Sequence, residues 1–430
     1  MRAMKNSGIE WIGEIPQDWG LRKIKTNFDI IAGATPKSGE ASFWDGDIPW
    51  ITPADYTTEG VYVSAGHKSI TQDGLNSCAT SLIPEGSIIF SKRAPVGLVA
   101  INSNSLCTNQ GCLSCVPKDS VDAKYYYYVM SIYGEQFDLF ASGTTFKEIS
   151  ADAFANFKLP YPDYETQKRI TSFLDTKCAE IDALIAAKEK TNALLKERRQ
   201  SIIYEAVTKG LDPTVPMKDS GVEWIGEIPE GWEIAALKRL GTPATGSTPS
   251  KDNPDYWDGN IPWVSSKDMK SDYLLDSEDH ITQAAVDECG LTLFNPGTLI
   301  FCVRSGILRH TFPVAVATLP VTINQDLRAL SLTGDVNPAF LLYYMRGMND
   351  TIVTLYEKIG ATVESIEMNW FLYFPVVLPS REEQDRIVKA LGSRCTDLDQ
   401  AVKQNEDTIR QLKEYRQSLI YEAVTGKIEV

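Results

Sequence analysis

The residues most able to do chemistry sit in LCTNQGCLSC, Leu106–Cys115, where Cys107, Cys112 and Cys115 crowd together. Three thiolates so close are the beginning of a zinc site. A second CxxC to complete a tetrahedral set is absent. The flanking residues alternate as a strand does, which sends Cys112 and Cys115 to opposite faces. We expect buried free thiols here and no metal. The other cysteines, 78, 178, 289, 302 and 395, are scattered. With no export signal at the start, they suggest reduced thiols in a cytoplasm. The sequence holds no GxGxxG or Walker A loop, no GxSxG elbow and no HExxH. Its three histidines, 67, 280 and 310, share no common position, and PDYETQK lacks the spacing of a nuclease carboxylate–lysine set. We assign no catalytic residue and no cofactor to this chain.

The elements that hold these residues come in two copies. SGIEWIGEIPQDW (Ser7–Trp19) returns as SGVEWIGEIPEGW (Ser220–Trp232), and FWDGDIPWIT (Phe43–Thr52) returns as YWDGNIPWVS (Tyr256–Ser265). IPEGSIIFSKR (Ile83–Arg93) matches FNPGTLIFCVR (Phe294–Arg304), NQG at Asn109 matches NQD at Asn324, and SGTTFKEI (Ser142–Ile149) matches IGATVESI (Ile359–Ile366). RRQSIIYEAVT (Arg198–Thr208) matches YRQSLIYEAVT (Tyr415–Thr425). The offset drifts only from 211 to 217, as small loop insertions would make it. Two copies are too few for a solenoid, so a pseudo-twofold pair is expected.

Each copy has two parts. The first is rich in Gly, Pro, Thr and aromatics, with short β-type runs such as SIIFSK and LIFCVR after turn signals, then a helical stretch around YYYYVMSIYGEQF. Its tyrosines read as core. The second part, from Tyr164 to Thr208, has no Gly or Pro, and Leu174, Cys178, Ile181, Ile185, Leu195, Ile202 and Ala206 recur at steps of four and three. Leu391, Cys395, Leu398, Val402, Ile409, Leu412, Leu419 and Ala423 repeat the seam. Lys188, Asn192, Arg199 and Asn405 interrupt it, which suits register selection in a helix pair. A helix of about 43 residues is about 65 Å long and cannot leave such a stripe in water, so its own repeat is the expected partner. Asp163 and Ser380 are the expected N-caps. The fold class is thus mixed α/β: two similar α+β domains, 1–160 and 213–378, separated by helices within 161–212 and 379–430 that form an antiparallel coiled coil. The alternative is two separate helices, each packed on its own domain.

Such a chain resembles a ruler: two recognition surfaces on a stiff spacer, with no reactive centre. EWIGEIPxxW, the turns GATPK (Gly33–Lys37) and GSTPS (Gly246–Ser250), IPW, and LPxxEEQxRI running into a helix that ends RxxxIxEAVT together resemble the specificity subunits of type I restriction–modification systems. One departure is YPDYETQKRI, where Thr166 replaces an acidic residue. The resemblance covers essentially the whole chain. It implies that each globular domain reads one half of a split double-stranded DNA sequence. It further implies an antiparallel helical spacer, two docked adenine-methyltransferase subunits that bring S-adenosylmethionine, and room for a restriction subunit.

Within that reading the contact candidates are local. Lys92 and Arg93 follow a β-type run, and Arg304 with Arg309 lies at the matching place. An arginine can pair with a guanine edge through two hydrogen bonds. Thr35, Lys37, Thr248, Ser250 and Lys251 lie in Gly/Pro turns suited to phosphate. Asn109, Gln110, Asn324 and Gln325 fit adenine edges, with turn caps as the simpler reading. Arg199, Tyr204, Glu205, Arg416, Tyr421 and Glu422 lie on the near-identical helix ends, where two identical partners would dock. The net charge of −15 opposes a simple nucleic-acid binder, and no part of the chain is basic overall. We therefore expect weak DNA binding alone and tight binding with methyltransferase partners. No run of 18 or more apolar residues exists, so no membrane span is expected. The rival reading is a two-headed scaffold for protein or glycan ligands.

Overall fold

A computed structural model describes residues 2–57, 60–143, 147–358 and 362–430. Thr144, Thr145, Phe146, Ile359, Gly360 and Ala361, part of one pair of repeated segments, lie outside the described residues. The chain forms two compact units, one from Met1–Lys188 with Asp407–Val430 and one from Glu189–Glu406.

The first unit is built on a five-stranded sheet in the order Phe28–Ala32, Cys112–Pro117, Ile88–Lys92, Val96–Asn102, Tyr62–Val63. Its pairs are antiparallel except the last, which is parallel. Strand alternation splits the side chains between two cores. Ile88, Phe90, Leu113 and Cys115 join the large aromatic core, whereas Ile89, Ala100 and Cys112 face a smaller one. Helix Ala123–Ile132 covers the large face and buries Tyr125, Tyr126, Tyr127 and Tyr128, as their apolar setting predicts. A three-stranded sheet, Cys107–Thr108, Trp44–Ile51, Lys68–Ile70, stands beside it. The second unit repeats this order strand for strand: Gly241–Thr245, Leu327–Leu332, Leu299–Cys302, Val314–Ala317, Tyr273–Leu274, with Thr322–Ile323, Trp257–Val264, Asp279–Ile281 as its smaller sheet.

The two long helices run over Tyr164–Lys209 and Arg381–Val424. Asp163 caps the first by accepting from Thr166 N (3.0 Å) and Thr166 Oγ1 (2.7 Å), so the departing threonine serves the cap itself. Ser380 Oγ accepts from Glu383 N (3.4 Å) at the second. The glutamine of each ETQ or EEQ motif is buried and fastens the helix to its unit. Gln167 Oε1 accepts from Asp122 N and Gln384 Oε1 from Asn337 N, the N-cap residues of the sheet-covering helices.

The seam packs as the heptads require, within each unit. In the first unit Leu174, Cys178, Ile181 and Ile185 join Leu419 and Ala423 in the main core, with Ile409 and Leu412 at its edge. In the second, Ala206 joins Leu391 and Cys395, with Ile202 at its edge. Leu195, Leu398 and Val402 are half-buried. Asn405 Nδ2 donates to Asn192 Oδ1 (2.9 Å), and seven residues further along the first helix Arg199 Nε stands 2.9 Å from Asp399 Oδ1. Numbering rises on one helix and falls on the other, so the helices run antiparallel there. The first unit repeats the ion pair with the partners exchanged, Arg416 Nε lying 3.0 Å from Asp182 Oδ1. Such reciprocity is what two copies of one helix produce when they pair face to face. The helices also pack on the globular cores, so the two arrangements weighed from sequence coexist.

Candidate nucleic-acid interface

In each unit the same frame holds the Gly/Pro turn against the NQ turn. Trp50 Nε1 donates to Ala34 O (3.0 Å), and Trp263 Nε1 donates to Ser247 O (3.0 Å). Trp44 Nε1 donates to Lys37 O (3.3 Å), and Trp257 Nε1 donates to Ser250 O (3.1 Å). The two indoles of each unit meet edge to face, 5.1 Å apart in the first and 5.3 Å in the second. These tryptophans act as anchors, as their recurrence suggests. The turns approach so closely that only glycine fits. A Cβ on Gly33 would lie 2.1 Å from Asn109 O, and one on Gly246 would lie 2.0 Å from Ile323 O.

That approach brings together residues far apart in sequence. Thr35 Oγ1 donates to Gln110 Oε1, and Thr248 Oγ1 donates to Gln325 Oε1. Gln110, Gln325, Lys37, Ser250 and Lys251 are exposed beside them. Asn109 and Asn324 take the turn-capping alternative: Asn109 Oδ1 accepts from Gly111 N (2.8 Å), and Asn324 Oδ1 accepts from Asp326 N (3.0 Å). Each of these asparagines thus spends its carbonyl on its own turn.

The arginine clusters are built differently in the two units. Lys92 ends its strand, and its Nζ lies 2.7 Å from Glu148 Oε1, while Arg93 Nη1 lies 3.3 Å from Glu148 Oε2. The Lys92 ammonium bonded to Glu148, seconded by Arg93, holds that carboxyl below its ordinary range. In the second unit Arg304 Nε stands 4.0 Å from Asp326 Oδ1, and Arg309 pairs with Glu364. Sequence reading did not single out Glu148, Asp326 or Glu364. Comparing the copies position by position would not have found them, because Glu148 falls on Ser365, Asp326 on Gly111 and Glu364 on Lys147.

Two other expectations meet the geometry. All six docking candidates have partners inside their own unit, Glu205 and Glu422 accepting from Ser201 Oγ (3.4 Å) and Ser418 Oγ (3.3 Å). Arg199 and Arg416 make the seam ion pairs, Tyr204 donates to Trp224 O (3.1 Å), and Tyr421 donates to Ile12 O (3.1 Å). The EWIGEIP segments are the seats of these helix ends. Glu205 is exposed and Glu422 half-buried. Cys107, Cys112 and Cys115 are buried free thiols that face three different apolar clusters. Burial pushes Cys107 up to about 11 and Cys112 to about 12, away from the thiolate a metal needs. Among the described residues no helix is long and apolar enough to cross a membrane.

Comparison with known proteins agrees with this picture. The family model for the type I restriction modification DNA specificity domain matches residues 16–196 and again 229–413. The MjaIX type I restriction enzyme specificity subunit of Methanocaldococcus jannaschii is 29% identical over 427 residues, covering 97% of this chain and 95% of the relative. The EcoR124I/EcoR124II specificity subunit of Escherichia coli is 27% identical over 62% of each chain. A chain from a structural study of assembly and conformational transition in a type I R-M system superposes with a TM-score of 0.76 at 16% identity, covering 96% of this chain and 99% of that one. The HsdS subunit of Thermoanaerobacter tengcongensis gives 0.54 at 16% identity, covering 96% of this chain and 98% of that one. With a doubled fold, a doubled surface frame and a doubled family match, the chain belongs to the type I restriction–modification DNA specificity family and is its DNA sequence-recognition subunit.

Proposed function

We propose that each unit reads one half of a bipartite duplex target. The long helices set the spacer between the halves, and two methyltransferase subunits dock on the repeated helix ends. The observation that carries this reading is the frame made twice, Thr35–Gln110 with Lys37 and Thr248–Gln325 with Lys251, beside arginine clusters that differ. What is common to both units suits the phosphate backbone, which is the same at every step; what differs suits base edges. The chain contributes recognition. Adenine methylation, with its S-adenosylmethionine, belongs to the partners, and cleavage to a restriction subunit where one joins. Sequencing of modified bases in cells that express this chain with its methyltransferase subunit tests the reading. A split motif with a fixed spacer, absent when this chain is omitted, is expected. Methylation that is unbroken in sequence, or independent of this chain, would refute it.

A further inference from the structure

The strand end that carries Arg93 in one unit and Arg304 in the other is fastened by the same backbone bonds. Lys92 N donates to Gly111 O (2.9 Å), and Val303 N donates to Asp326 O (2.9 Å). Ile149 N donates to Lys92 O (3.0 Å), and Ile366 N donates to Val303 O (2.8 Å). Arg93 forms a β-bridge with Glu148, and Arg304 forms one with Ser365. Gly111 is therefore the structural equivalent of Asp326, and Glu148 that of Ser365, independently of any alignment.

At these equivalent places the acidic side chain has changed sides. The first unit has a carboxylate at Glu148 and none at Gly111. The second has none at Ser365 and a carboxylate at Asp326. The arginine between them is kept, paired with Glu148 Oε2 at 3.3 Å in one unit and facing Asp326 Oδ1 at 4.0 Å in the other. Both arginines remain reachable, their side chains 34% and 61% exposed. A guanidinium carries five donors in a rigid fork, so a carboxylate on one side leaves the other donors aimed away from it. Moving the carboxylate to the opposite neighbour turns the fork. As a stabilising device such part-exposed pairs contribute little, which leaves their direction as the property worth keeping.

We propose that Arg93 and Arg304 are the base-reading residues of their units and that Glu148 and Asp326 are positioning residues, each aiming its arginine at a different base edge. One shared frame thereby acquires two specificities. The inference rests on the reading of each unit as a half-site reader.

Two variants test it, each purified as the full chain with its methyltransferase subunit and offered duplexes with both half-sites randomised. Asp326→Gly combined with Ser365→Glu moves the second unit's carboxylate to the place it holds in the first, with Val303 left where the first unit has Lys92. The selected motif should change at one position of one half-site, by about 5- to 140-fold in preference, with the other half-site untouched. Glu148→Gln keeps the shape of the side chain and removes its charge. It should relax one position of the other half-site within the same range while affinity for non-specific duplex does not fall. Uniform weakening at every position, or an unchanged motif from variants with wild-type thermal unfolding, would overturn the aiming role. A wild-type complex that selects no motif would overturn the half-site reading, and this inference with it. If the double variant does not fold, Glu148→Gln decides the matter.

Discussion

The two units share a strand order, a helix seat and a tryptophan-held turn frame, yet they differ in what surrounds their arginines and in what they bury. The first unit stacks four consecutive tyrosines under its sheet, where the second has Phe340, Leu341, Leu342 and Tyr343 at the corresponding helix positions. Its thiols are also more deeply sequestered, with Cys107, Cys112 and Cys115 all buried. The lesson is that duplication preserved whatever positions a surface and released whatever the surface presents. Core chemistry drifted too, wherever only volume and apolarity mattered.

Alkaline pH should separate the units most. Burial keeps Cys107 protonated to about 11 and Cys112 to about 12, and raises Cys115, Tyr125, Tyr126 and Tyr128 as well. In the second unit the comparable groups are Cys302, raised to about 11, Tyr343, raised to about 12, and Tyr344. An acid whose folded pKa is raised contributes stability that is complete below its unfolded value. That stability is lost as pH climbs from about 8.5 for thiols and about 10 for tyrosines, at roughly 1.4 kcal/mol per group per pH unit. Urea midpoints followed by proteolytic peptides from each unit should fall faster for the first unit between pH 8.5 and 11. Parallel decline would break the contrast.

Leu174→Ala and Leu391→Ala come next. Both side chains are fully buried at equivalent seam positions, one in each unit's core. Each truncation should cost about 2–5 kcal/mol. The same proteolytic readout should assign each loss to its own unit. Equal loss in both from either variant would mean that the helices couple the units into one cooperative block.

Gly33→Ala and Gly246→Ala sharpen the shared side of the comparison. Each adds a Cβ within about 2.1 Å of a carbonyl oxygen. The turn must move, at about 1–3 kcal/mol, and the Thr35–Gln110 or Thr248–Gln325 bond opens with it. Duplex affinity measured by gel shift with the methyltransferase partner should fall for every sequence alike. A change of preferred base would assign specificity to the frame instead.

Much of this molecule was legible before its structure. The repeat, the strand–turn runs and the four-three seam are patterns of polarity along the chain, and polarity decides burial. Asp163 and Ser380 announce the helix starts because capping is local. The pairing of Thr35 with Gln110 was half visible, since both were candidates, but their meeting depends on a turn folding across a sheet. Arg93 with Glu148 was less visible still, because strand pairing sets the contact across 55 residues. Arg199 and Arg416 illustrate a different limit. Polarity on a helix end marks a candidate docking residue, but only the pairing of the helices brings Asp399 and Asp182 to these two guanidinium groups.

The account depends above all on each unit reading its own half-site through its own arginine. The direct measurement is selection from duplexes randomised in both half-sites, by the full chain with its methyltransferase subunit, comparing wild type, Arg93→Ala and Arg304→Ala. A split motif is expected, with Arg93→Ala erasing preference at one base of one half and Arg304→Ala at one base of the other. Loss of preference in both halves from either single substitution, or in neither half from both, would contradict it.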